Sequence, residues 1–122
     1  MVLKVEDLDV YKMAEELADK IWYMCIKWDY FTKETVGKQF VRAVDSISAN
    51  LAEGFGRYGK KDKIKFFRYS FGSMYESLDW NEKAHIRKLL DEEEYSNIFS
   101  ELIKLPKAIN SLILFTDKKL QI

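Results

Sequence analysis

Cysteine, proline and histidine each occur once in this chain of 122 residues, and glycine only five times. A lone cysteine excludes an internal disulfide framework, and its setting in Ile21-Trp22-Tyr23-Met24-Cys25-Ile26 marks Cys25 as a small buried hydrophobe. That usage fits a reducing compartment, so the expected location is cytoplasmic. One histidine beside one cysteine leaves no zinc-ligand set, and no glycine-rich phosphate loop interrupts the sequence. No stretch approaches the roughly 18 apolar residues that a bilayer span requires. The opening Met1-Val2-Leu3-Lys4-Val5-Glu6-Asp7 also lacks the basic flank and apolar core of a signal peptide. Neither export nor a membrane partner is expected. Net charge is missing too: 20 basic residues against 20 acidic ones give a formal charge of +0, so no overall field recruits nucleic acid or anionic lipid.

What is present is apolar residues at helical spacing. The chain is 48% hydrophobic and 33% charged, a mixture that folds as one domain over 1–122 without metals or disulfides. Val10, Ala14, Leu17, Ile21, Met24 and Trp28 step by three and four along a first helix. A second, with Thr32 or Thr35 as its cap, carries Phe40, Val44, Ile47 and Leu51. Gly54 and Gly56 end it, and Gly59 with Asp62 forms a capping box in which glycine replaces the usual Ser or Thr. The third runs from about Lys60 to Leu89, roughly 45 Å at ~1.5 Å per residue, with Ile64, Phe67, Phe71, Met74 and Leu78 as its stripe. Asn81, Glu82 and His85 then fall in core phase, and this end is expected to project beyond the other helices. The fourth starts in Asp91-Glu92-Glu93-Glu94, where negative charge suits a helix N-terminus, and continues through Tyr95, Ile98, Leu102, Leu105, Ile109 and Leu112. Pro106 is expected to bend it by freeing the carbonyl of Leu102. Short links place successive helices antiparallel, so the expected fold is all-α, an antiparallel up-down-up-down four-helix bundle.

Three features stand out from this frame. On the second helix Arg42, Ser46, Asn50, Glu53 and Arg57 draw a polar seam lateral to the apolar stripe. Ser46, Asn50 and Glu53 read either as a structural seam that caps and bridges helices or as a surface for another subunit or ligand. Arg57, Lys60, Lys61, Lys63, Lys65 and Arg68 stand against Asp62 alone and interleave with Phe66, Phe67 and Tyr69. That segment reads as a solvated face, as a subunit contact for the acidic run Asp91, Glu92, Glu93 and Glu94, or, together with Arg42, as a nucleic-acid- or partner-binding surface with stacking aromatics. Opposite patches on a neutral chain suit head-to-tail self-assembly, the only interface type that closes odd-numbered rings. Trp22, Trp28, Tyr30 and Phe31 read as packing at the end of the bundle. Glu82-Lys83-Ala84-His85 has the Glu-x-x-His form of carboxylate-bridged iron sites, but those need a second copy, so His85 reads as a surface histidine. No catalytic residue, metal or cofactor is expected.

Arg42-Ala43, Asp45-Ser46-Ile47-Ser48-Ala49-Asn50-Leu51-Ala52-Glu53-Gly54-Phe55-Gly56-Arg57, Gly72-Ser73, Glu76-Ser77-Leu78-Asp79-Trp80 and Leu105-Pro106-Lys107, with Leu8-Asp9-Val10-Tyr11 near the start, follow a recognisable order. In these residues the chain resembles the 23S rRNA intervening-sequence protein family of bacterial four-helix bundles. The resemblance implies a ring-shaped pentamer without catalytic activity, similar to the accessory protein of diversity-generating retroelements. It implies as partners other copies of the chain, RNA or DNA, and a reverse transcriptase or other nucleic-acid enzyme. Val41 stands where many members carry a second arginine, Ser48 where many have proline, Gly59 where a serine often caps and Asn81 where leucine is usual. The expected function is therefore a homo-oligomeric scaffold or adaptor, with direct nucleic-acid binding through Arg57 to Arg68 as the alternative.

Overall fold

Each stripe of apolar residues needs a facing stripe to leave water, and in the computed structural model, which describes residues 4–119, four helical segments meet around one core. A 3-10 turn, Val5–Asp7, leads into α1, Asp9–Cys25. The second segment is continuous but uneven: α2, Tyr30–Thr32, passes through a π-helical stretch, Lys33–Gly37, into α3, Lys38–Gly56. The third is α4, Lys60–Ile86, and the fourth comprises α5, Glu92–Leu102, and α6, Leu105–Lys119. No strand occurs among the described residues. Met1, Val2 and Leu3, on which the signal-peptide expectation partly drew, lie outside them.

Helix ends differ from expectation in local chemistry. Asp29, rather than Thr32 or Thr35, caps the second segment, its carboxylate accepting the Thr32 N–H at 2.9 Å. Thr35 instead donates its hydroxyl to the Phe31 carbonyl at 2.8 Å. Gly59 is the N-cap of α4 but no side chain bonds there. Asp62, the expected reciprocal partner, lies 3.9 Å from Arg57 and 3.8 Å from Lys65 instead. The box at α5 does form: Asp91 accepts from the Glu94 N–H at 2.7 Å and Glu94 from the Asp91 N–H at 3.0 Å. Pro106 has a larger effect than a bend. With no proline N–H to take the Leu102 carbonyl, the helix stops at Leu102 and restarts at Leu105. α4 closes at Ile86 with Lys88 in the left-handed conformation, φ 62°, and the Leu89 N–H bonded to the Ala84 carbonyl at 2.9 Å.

α3 is the central element. Phe40, Val44, Ile47 and Leu51 are each fully enclosed, and burial on this scale contributes roughly 1.5–3 kcal/mol per side chain. They share one core with Ala14, Leu17 and Ile21 of α1, Ile64, Phe67 and Met74 of α4, and Ile98, Leu102, Leu105 and Ile109 of the fourth segment, which packs on α4 and α1. The far end of α4 does not project. Asn81 is 1% exposed and Ala84 fully buried, because α5 packs over them and the Tyr95 carbonyl accepts the Asn81 amide at 3.2 Å. Of the polar residues in core phase, Asn81 thus joins the buried interior, His85 is half-buried and Glu82 stays exposed.

The approach of α3 to α4 is set by a missing side chain. A Cβ on Gly54 would lie 2.6 Å from Phe67 Cε1 and 2.9 Å from the Lys63 carbonyl oxygen, and one of those atoms is backbone and the other belongs to a core ring. Gly54→Ala must therefore force the helices apart, and we expect a loss of about 1–3 kcal/mol despite alanine's better helix propensity. Urea unfolding checks this. A variant as stable as the parent would contradict the close approach.

Candidate interaction surfaces

The polar seam of α3 is satisfied mostly within its own helix. Ser46 donates to the Arg42 carbonyl at 2.7 Å, Asn50 to the Ser46 carbonyl at 2.8 Å, and Glu53 accepts from Arg57 at 2.8 Å. Asn50 reaches α4 at 3.5 Å from the Ser73 hydroxyl, and Arg57 reaches it at Asp62 and Phe66. Shorter polar links between helices lie elsewhere: Ser70 of α4 donates to the Ile47 carbonyl at 2.9 Å, Ser48 donates to Glu15 of α1 at 2.7 Å, and Tyr11 reaches the other Glu15 oxygen at 3.3 Å. Asp45 stands nearby, its carboxyl raised above the usual range by burial and then by the charges of Glu15 and Asp19. Tyr11 is likewise raised, first by burial and then by Glu15. Nothing in the spacing of the sequence pointed to Glu15, because its partner is 33 residues away.

Much of the basic segment is engaged at close range. Arg57 pairs with Glu53 and lies 4.5 Å from the centre of the Phe66 ring. Lys60 bonds the Asp117 carbonyl at 3.2 Å, and Lys63 bonds the Phe55 carbonyl at 2.7 Å with its ammonium pKa lowered by burial. Lys65 lies near both Asp62 and Phe66. Lys61 and Arg68 are exposed and have no ion pair among the described residues. Beside them stand Tyr58, 82% exposed, and Tyr69, 50% exposed. Phe67 is a core residue.

The acidic run lies at the other end of the molecule. Asp91 and Glu94 form the cap, Glu92 meets His85 Nε2 at 2.6 Å, and Glu93 is exposed without an ion pair among the described residues. His85 is half-buried and stacks on Tyr95 with ring centres 3.9 Å apart, while the Tyr95 hydroxyl donates to Glu82 at 2.6 Å. Glu82 and His85 both contact Tyr95, and among the described residues no three potential ligands gather for a metal. The acidic run and the start of α4 are separated by about the length of α4, ~40 Å at ~1.5 Å per residue.

Three grooves surround this same end. The largest, about 640 Å³, runs between Lys20, Tyr23, Met24 and Trp28 on one side and Glu93 and Ile98 on the other. A second, about 380 Å³, is floored by Trp22, Cys25, Ile26 and Val41. The third lies between Phe31 and Val36 and the Arg87–Leu89 turn. Of the four aromatics assigned to end packing, only Trp28 packs against the core. Trp22 is 49% exposed, Tyr30 77% and Phe31 75%. Cys25 is buried as expected, its thiol pushed up to about 12 by that burial and so unreactive. The grooves escaped the sequence reading because each combines residues from two helices that are individually unremarkable.

The family model of the 23S rRNA-intervening sequence protein matches residues 6–111, and the chain belongs to that family. It is also similar to the crystal structure of a protein with unknown function from the S23 ribosomal protein family of Bacteroides thetaiotaomicron VPI-5482. The two are 22% identical with a TM-score of 0.75, over 85% of this chain and 97% of that one. That likeness is one of fold. No curated protein matches the chain. Among the described residues no helix is long and apolar enough to cross a membrane.

The Asn81 side chain offers a direct test of the core at this end. Its Oδ1 is buried with no hydrogen-bond partner, a cost of roughly 1–3 kcal/mol for such a group. Asn81→Leu removes that cost at similar volume, and we expect the variant to be more stable by about 1 kcal/mol. A thermal melt would register this as a raised Tm. A lowered Tm would mean that the amide is fully satisfied.

Proposed function

We propose that this protein is a non-enzymatic scaffold that works as a homo-oligomer, with a pentameric ring as its assembled state. In this reading the four helical segments run up-down-up-down, each antiparallel to the next. Pairings such as Glu15 with Ser48, Gly54 with Phe67 and Lys60 with Asp117 support that direction of travel. The observation that carries the scaffold reading is the clustering of three grooves around one end of the molecule, each bordered by exposed apolar side chains, although Tyr58, Leu114 and Phe115 are exposed away from it. Trp22, Tyr23, Ile26, Tyr30, Phe31 and Ile86 are each at least 46% exposed there. Contiguous apolar surface rimmed by charge is typical of sites that another macromolecule covers.

A second reading, direct RNA or DNA binding, draws on Lys61 and Arg68, which keep their charge free for phosphate beside the exposed Tyr58 and Tyr69. A ring would present several such patches at once and multiply weak affinities. Native mass spectrometry at low salt, with and without a single-stranded oligonucleotide, separates the two readings. The scaffold reading predicts a pentamer whose mass the oligonucleotide leaves unchanged. A pentamer that takes up oligonucleotide favours the second reading, and a monomer at micromolar concentration contradicts the scaffold.

A further inference from the structure

The groove between α1 and α3 has a consistent chemistry. Its floor is apolar, with Trp22, Ile26 and Val41, and its rim carries Lys33, Lys38 and Arg42. None of these three cations has an ion pair among the described residues, in contrast to Arg57, Lys60 and Lys65 of the basic segment. Glu34 is the one carboxylate that lines the groove. The chemical complement of such a patch is an acidic, apolar element.

α5 carries that element on its outward face. Glu92, Ser96, Phe99 and Ile103 follow one another at spacings of four, three and four and are all exposed, so they form one ridge along the helix and the turn that ends it. Phe99 is 43% exposed and Ile103 50%. Glu93 stands beside the head of the ridge, and no cation of the same chain pairs with it. The ridge is acidic at its start, where Glu92 also meets His85 of its own chain, and apolar toward its end at Phe99 and Ile103, as the groove is basic at its rim and apolar on its floor.

Position matters as much as chemistry. The last turns of α1 line one groove with α3 and the opposite groove with the start of α5, so the basic groove and the acidic ridge sit at the same level on different faces. Two copies standing side by side and pointing the same way can therefore join ridge to groove. The basic start of α4 lacks this relation, because it lies about 40 Å further along the rod and reaches an acidic run only by end-to-end contact. A contact between unlike patches is heterologous, leaves one groove and one ridge free on every pair, and continues until a ring closes.

We infer that the α5 ridge of one copy lies in the α1–α3 groove of the next, with Glu92 and Glu93 facing Lys33, Lys38 and Arg42 and with Phe99 and Ile103 against Trp22, Ile26 and Val41. This assignment rests on the homo-oligomer reading. It is a helix-in-groove contact, in which the apolar anchors carry the affinity and the charges fix register and exclude the reversed pairing.

Charge exchange tests it. Lys38→Glu with Arg42→Glu reverses the groove, and Glu92→Lys with Glu93→Lys reverses the ridge; all four side chains are exposed, so far-UV circular dichroism should keep the parental helix content. Native mass spectrometry is expected to find each double variant dissociated under conditions that keep the parent assembled, at least tenfold weaker. The quadruple variant, with both charges exchanged, should regain the assembly. Lys61→Glu with Arg68→Glu should leave it intact. Assembly that survives in both double variants, or that the quadruple variant does not regain, overturns the groove-ridge pairing while the oligomer reading stands. A parent that is itself monomeric ends both.

Discussion

The structure depends on the burial of one stripe of α3, Phe40, Val44, Ile47 and Leu51, between α1 and α4. These side chains are enclosed because the neighbouring helices come close, and the closeness has a local cause on each side. Toward α4 it is the absence of a side chain at Gly54, which lets Phe67 lie against the α3 backbone. Toward α1 it is the small Ser48, whose hydroxyl also reaches Glu15. The long α4 then extends past the core of α3, and α5 covers its far end at the cost of one unpartnered amide oxygen on Asn81. The fold is thus anchored at its middle and least well satisfied at the end where the grooves lie.

That gradient has consequences for function. At the middle the polar groups are paired over short distances within or between helices, and the seam of Ser46, Asn50 and Glu53 belongs to this economy of local bonds. At the grooved end, aromatic side chains stand in solvent and cations stand without partners. A small domain gains little from leaving Trp22 and Phe31 exposed unless something covers them. In the basic segment at the opposite end Arg57, Lys60, Lys63 and Lys65 already have acceptors nearby, while Lys61, Arg68, Tyr58 and Tyr69 stand exposed.

The helices and their buried faces were legible in the sequence because a stripe repeats within one element, and every residue of the Phe40-Val44-Ile47-Leu51 stripe is buried. Family membership was legible through the helix-two signature. What escaped was whatever depends on two elements at once. Asn81 and His85 look like solvent residues until α5 is laid over them. The Glu15–Ser48 bond joins residues that only the packing of α1 on α3 brings together. The grooves have no single-helix signature, and the π-helical stretch that starts the wall of one of them carries no clear propensity signal. Pro106 was read correctly as a disturbance but underestimated, since Leu102 and Leu105 stay buried on both sides of the break and so hide it from any periodicity argument.

The central claim is that the exposed apolar surface at the grooved end is covered by another copy of the chain. Hydroxyl-radical footprinting across a dilution series tests it most directly, since it reports each aromatic side chain separately. Trp22 and Phe99 should be protected at high protein concentration and become reactive on dilution, while Tyr58 stays reactive throughout. Equal reactivity of Trp22, Phe99 and Tyr58 at every concentration would contradict the account.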